Sequence, residues 1–209
     1  MKKVIAFLAA VLMAALFSSC TYFTYDVDQL ENGIESVISP RVAGKFVPGT
    51  VDGNTYINEY MNIKLRLPKS YEFLTESEMK DVFGVSELYE EGGIVAYDAF
   101  ARNEDGASVN IVYQLSAVSA EAYIDMITAE LSIGNMGGTL ELCEKGTLKV
   151  GEKELPCVNI EISQENYEGD TVTMYETITV KEKEGWIGVI TMGAVKQSDI
   201  DTIVSGIEI

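Results

Sequence analysis

Between residues 53 and 209 apolar and polar positions alternate in short runs, and the period changes to that of a helix three times. "NTYIN" (54–58) and "NIKLRLP" (62–68) read as two strands, the second closed by Pro68. "TESEMKDVF" (75–83) has helical spacing: Thr75 and Glu78 match a capping box, and Met79, Val82 and Phe83 form the apolar face. "GIVAYDAFAR" and "ASVNIVYQL" flank "NEDG" and predict a hairpin. "SAEAYIDMITAEL" is the longest helix, with Ser119 as its cap, Ile124, Ile127 and Leu131 at i, i+3, i+7, and "GNMGG" at its end. Strands follow over 139–149, 154–163, 170–181 and 186–193, and "SDIDTIVSGIEI" closes the chain as a helix capped by Ser198, with Ile200, Ile203, Val204 and Ile207 facing inward. Consecutive strands joined by short turns predict an antiparallel β-sheet flanked by helices, an α+β fold in a single domain over 53–209.

The first residues follow another rule. Lys2 and Lys3 precede Val4–Phe17, a run without charge. As a helix it would reach about 21 Å at roughly 1.5 Å per residue, short of a hydrocarbon core about 30 Å thick. It reads as a signal peptide over 1–19. "AALFSSC" ends on Cys20 and resembles the lipobox of bacterial lipoproteins, with Phe17 where that family usually has Leu. The resemblance implies that the Cys20 thiol receives a diacylglyceryl group and becomes the mature N-terminus, anchored by lipid on the extracytoplasmic face of the cell membrane. Two long acyl chains would contribute on the order of 20 kcal/mol to that anchorage. Residues 20–52 carry Pro40, Pro48 and three glycines without a sustained period and read as a tether, with a short helix around Asp26–Ile38.

Composition narrows the function classes. The net charge is −18, and loss of Lys2 and Lys3 with the signal makes the mature chain more acidic still. Nucleic-acid binding through phosphate neutralisation needs clustered Lys and Arg and is not expected. The hydrophobic fraction of 47% supports a core. There is no histidine, which removes Ser-His-Asp and Cys-His catalysis and every His-bearing zinc site.

"YINEYMNIKLRLPKSYEF", "AYDAFARNEDGASVNIVYQ", "AEAYIDMITAEL", "GWIGVITMGA" and "VSGIEI" together resemble bacterial surface lipoproteins with a PsbP-like domain, named for the extrinsic photosystem II protein. A nuclear-transport factor that binds Ran belongs to the same superfamily. Ser70-Tyr71 stands where relatives often have Gly-Trp after Leu-Pro. The resemblance implies an antiparallel sheet sandwiched by helices and an accessory or binding role without catalysis. It carries no active-site motif onto positions of this chain.

Two acids break the strand alternation. Asp98 falls with Ile94, Ala96 and Phe100, and Glu176 with Val172, Met174, Ile178 and Val180. A half-exposed face or a bulge accounts for such positions, and a buried carboxylate marks a site. The acids of "DVDQLEN" and "VDGNTYINE" lack calcium-loop spacing, and "GNMGG" follows a helix where a phosphate loop precedes one. Trp186 reads as a core or rim aromatic after the Glu184-Gly185 turn. No cofactor and no metal are expected. The function expected is a lipid-anchored, extracytoplasmic binding or accessory module without catalysis, with the membrane as partner through Cys20 and its ligand or protein partner open. The alternative is a hydrolase using Asp98 and Glu176 as paired carboxylates, which requires them about 5–10 Å apart.

Cys143 and Cys157 are the remaining thiols, on consecutive strands around "KVGEKE". If Leu140, Leu142, Leu148, Val150, Val158, Ile160 and Ile162 share the inward face, a hairpin centred on Val150 sets the two cysteines opposite each other. That register predicts neighbouring thiols on one face, held reduced, with a disulfide as the alternative. A two-residue turn at Gly151-Glu152 would separate them.

Overall fold

The computed structural model describes residues 46–89, 94–133, 138–165 and 169–209. The signal run, Cys20, the helix expected near Asp26–Ile38 and residues 134–137 of "GNMGG" lie outside them. Strands β1 (Thr50–Asp52), β2 (Thr55–Asn58), β3 (Ile63–Arg66) and β11 (Ile207–Glu208) form a small sheet in that order. The large sheet runs β4 (Tyr71–Phe73), β5 (Val95–Asn103), β6 (Ser108–Leu115), β10 (Trp186–Ala194), β9 (Thr171–Lys183), β8 (Lys153–Glu165) and β7 (Thr139–Val150). Each of these neighbouring pairs is antiparallel. With helices α1 (Glu76–Phe83), α2 (Ala120–Ile133) and α3 (Gln197–Ser205), the fold is α+β, as the sequence predicts.

Local signals fix several of these elements. The Thr75–Glu78 capping box closes reciprocally at the start of α1. Ser119 Oγ accepts from the Ala122 amide at the start of α2. Asn103 Oδ1 accepts from the amides of Asp105 and Ala107, which makes "NEDG" a hairpin turn.

The two faces of the large sheet are packed differently. One meets the small sheet and α3 through Tyr56, Ile63, Leu65, Ile111, Tyr113, Trp186, Ile190, Ile200 and Ile203, the largest buried cluster. The other carries α2 over Val158, Ile160, Ile162, Ile178 and Val180, and α1 beside Phe100.

Four expectations need correction. The span 20–52 is not tether throughout. Phe46 is 3% exposed and its ring centroid lies 5.1 Å from each of Tyr89, Tyr113 and Trp186, so core packing reaches back at least to Phe46. Ser198 does not cap α3, whose N-cap is Lys196 without a side-chain bond. Ile207 is inward-facing but belongs to β11, paired with Leu65, because α3 ends at Gly206.

The fourth correction concerns the cysteines. Val150 pairs with Lys153 across a two-residue turn. Gly151 sits there at φ +61, in the first central position, where a type II′ turn takes glycine. This sends Leu148, Val150 and Leu155 to the small-sheet side and Val158, Ile160 and Ile162 to the α2 side. Cys143 pairs with Ile160, and Cys157 with Gly146, so the thiols point to opposite faces and both are free. A register shift between Leu140 and Leu142 returns Leu140 to the α2 side.

Phe46→Ala should cost about 3–5 kcal/mol, as loss of a buried aromatic does, read from urea unfolding; a change within about 0.5 kcal/mol would place Phe46 outside the core. Thiol titration of the unfolded protein should count both Cys143 and Cys157 as free. A bridged Cys143–Cys157 peptide after mild oxidation of the folded chain would overturn the hairpin register.

Candidate functional site

The structure separates the two acids that the sequence singles out. In β5 the register with β6 shifts between Tyr97 and Ala99, which makes Asp98 the extra residue of a bulge. Ala96, Ala99 and Ala101 then pack on the small-sheet side, while Phe100 packs on the α1 side. The bulge aims Asp98 at the small sheet. Its Oδ2 accepts from the Gly49 amide at 2.8 Å, the Tyr56 hydroxyl at 2.6 Å and Asn58 Nδ2 at 3.2 Å. The Tyr113 hydroxyl, 2.7 Å from that of Tyr56, completes the chain as donor.

Burial pushes the Asp98 carboxyl up from its ordinary value, against its hydrogen bonds to Tyr56, Gly49 and Asn58. Burial also raises both tyrosines, so their hydroxyls stay protonated and donating. Gly49 is required by close approach: a Cβ there would collide with the Tyr56 ring. Asp98 is thus a satisfied tie between two sheets.

Glu176 is different. Its strand is in continuous register with β8 and β10, so no bulge displaces it, and it is only 5% exposed. It lies on the α2 side, in a row that crosses the sheet from Ile160 through Glu176 and Gly193 to Ser108. Thr191 and Asn110 stand opposite each other in the next row on the same face. Among the described residues nothing donates to Glu176 Oε1, and Ser108 Oγ and Thr191 Oγ1 are likewise buried without a partner. Burial alone pushes the Glu176 carboxyl up to about 8.

Asp98 and Glu176 cannot act as an acid pair. They face opposite sides of the sheet, and their strands are three positions apart, about 14 Å at roughly 4.8 Å per step. Paired-carboxylate hydrolysis by these two residues is removed. Trp186 is buried against Phe46, the core role expected of it.

The sequence reading missed Ser108, Thr191 and Gly193. The available signal was the second face of β6 and β10, where small polar residues recur at even and odd positions respectively in strands whose other face is apolar. Among the described residues no group of three His, Cys, Asp or Glu side chains is placed to hold a metal, and no helix is long and apolar enough to cross a membrane.

Neither a family model nor a curated protein matches the chain. Its structure is similar to that of LpqN, described as involved in cell envelope biogenesis of Mycobacterium tuberculosis, at 12% identity over 69% of this chain and 81% of that one, with a TM-score of 0.45. It is also similar to a Bacteroides thetaiotaomicron protein, at 10% identity over 76% of this chain and 48% of that one, TM-score 0.40. A third neighbour is CyanoP, the PsbP of the cyanobacterium Synechocystis, at 10% identity over 78% of this chain and 97% of that one, TM-score 0.43.

The raised Glu176 carboxyl sets the sign of a pH dependence. Between its ordinary value near 4.5 and about 8 the folded chain keeps a proton that the unfolded chain gives up. Stability is therefore full below the lower value and falls as pH rises toward the upper one, by on the order of a few kcal/mol. Urea unfolding across pH 4–9 should show this slope, and Glu176→Gln should flatten it. An unchanged slope in the variant would remove Glu176 as its source.

Proposed function

We propose that this chain is a lipid-anchored, extracytoplasmic binding or accessory module without catalysis. The observation that carries the binding role is the group of buried oxygens on Glu176, Ser108 and Thr191 with no donor among the described residues. Native folds rarely leave such atoms unsatisfied. Three of them close together on one sheet face suit a ligand that supplies the donors.

The non-catalytic role is supported by the absence of histidine and by the separation of Asp98 from Glu176. A lone carboxyl has no partner here to take the second half of an acid–base reaction. The anchor is supported by the charged start, the short apolar run and Cys20 after Ser18-Ser19. The acidic surface keeps the domain soluble and off an anionic bilayer.

In cells that process lipoproteins, Cys20→Ser should release the protein from the membrane fraction or leave it unprocessed, and globomycin should block maturation of the unmutated chain. A mature mass with Cys20 present and unmodified would overturn the anchor. Native mass spectrometry of protein recovered from its own membranes should show a retained small molecule or protein. Repeated recovery of the bare chain would overturn the binding role.

A further inference from the structure

We propose that the α2 side of the large sheet, around Gly193, binds the primary ammonium group of a small ligand. The inference rests on the binding role above and names the chemistry of that site.

Space comes first. β10 carries Gly193 between Glu176 on β9 and Ser108 on β6. Among the described residues, the room that a Cβ at Gly193 would enter meets only Ser108 Oγ, 3.9 Å away. Gly193 thus puts no side chain into the space between Glu176 and Ser108, and a small group fits there without a clash against the described residues. Around it stand Glu176 Oε1, Ser108 Oγ and Thr191 Oγ1, all buried and with no hydrogen-bond partner among the described residues. Asn110, opposite Thr191, lines the same patch.

The set of acceptors selects the ligand. All three unpartnered atoms are oxygens, and all can accept. A primary ammonium is compact, carries three N–H donors and brings the one positive charge that a single carboxylate offsets. A quaternary ammonium has no N–H to give. An anion would meet Glu176, and a hard divalent ion requires six or more oxygen ligands for calcium or near-octahedral coordination for magnesium.

Binding carries a proton signature. Glu176 is held largely protonated at neutral pH by burial. An arriving ammonium favours the carboxylate, so the carboxyl O–H bond breaks and its proton passes to the buffer. The ligand replaces a neutral acid with an ion pair and releases close to one proton at pH 7.

The test uses the full chain in nonionic detergent with carboxyl-labelled glutamate, followed by NMR, and methylammonium chloride as probe. Tetramethylammonium chloride and potassium chloride at equal ionic strength are the controls. Methylammonium should shift the Glu176 titration toward the ordinary carboxylate range, and calorimetry in buffers of different ionisation enthalpy should register the released proton. Ser108→Ala and Thr191→Val should each weaken the methylammonium effect about five- to tenfold while leaving folding intact. An equal shift with potassium would mean a monovalent-cation site, an equal shift with tetramethylammonium a salt effect, and no shift an empty patch; each overturns the proposal. If the probe fails while native mass spectrometry still shows a retained molecule, only the ammonium assignment falls. If both fail, the binding role falls with it.

Discussion

One carboxylate oxygen, Asp98 Oδ2, fixes how the small sheet sits on the apolar core that it shares with the large one. Its donors come from three places: the Gly49 amide before β1, the Tyr56 hydroxyl in β2 and the Asn58 amide at the end of β2. Asn58 also donates to the Val47 carbonyl and accepts from the Met61 amide, so the tie extends to the segment before β1 and the turn before β3. Burying a carboxylate is costly, and hydrogen bonds to a charged acceptor contribute about 1.5–3 kcal/mol each. Three of them offset that cost and make the position hard to vacate: without the acceptor, a tyrosine hydroxyl and a backbone amide lose their partner in a poorly solvated place. The tyrosines that donate here are pushed away from neutral pH, so the network does not switch with modest changes in acidity.

Glu176 shows what the same chemistry means without donors. Both acids are buried, and both have raised carboxyls with burial as the first cause. Only Asp98 has its donors within the described protein. A structural carboxylate brings its partners with it from neighbouring elements. Glu176 lacks them among the described residues, in a fully paired strand with no bulge to aim it elsewhere, which is why the proposed binding role is placed there.

Apart from the Ser198 cap, which the last helix does not use, the boundary between what the sequence revealed and what it hid follows the range of the interaction. Thr75 with Glu78, Ser119 with Ala122, and Asn103 with Asp105 and Ala107 act within a few residues, and each was legible. Register was not, because it is set at single points. The Gly151 turn, with one residue at positive φ, decided which face every residue of β7 and β8 occupies, and so parted Cys143 from Cys157. The Tyr97/Ala99 bulge decided where Asp98 points. Phe46 was hidden for a different reason: a lone aromatic before a Pro-Gly pair has no period, and its value comes from Tyr89, Tyr113 and Trp186, remote in sequence. Ser108, Thr191 and Gly193 were overlooked because small polar residues at alternate positions look like an exposed face.

That resemblance to an exposed face is instructive, since every residue of β10 from Trp186 to Ala194 is buried. The small-sheet side of the strand uses its burial fully, with Ile190, Met192 and Ala194 in the main core. On the other side α2 covers β7, β8 and β9, α1 lies against β5, and β6 and β10 run between them. Ile187 and Val189 at the start of β10 extend the α2 cluster. Thr191 and Gly193 further along break it, beside Asn110 and Ser108 of β6. A strand that places Val189 on a face can place an apolar residue two positions on, and at Gly193 a Cβ would meet only Ser108 Oγ among the described residues. A fold selected for stability alone has that option open at each of these positions. Glycine, two hydroxyls, an amide and an acid without a partner among the described residues stand there instead, and that departure from core packing is what the proposed binding role draws on.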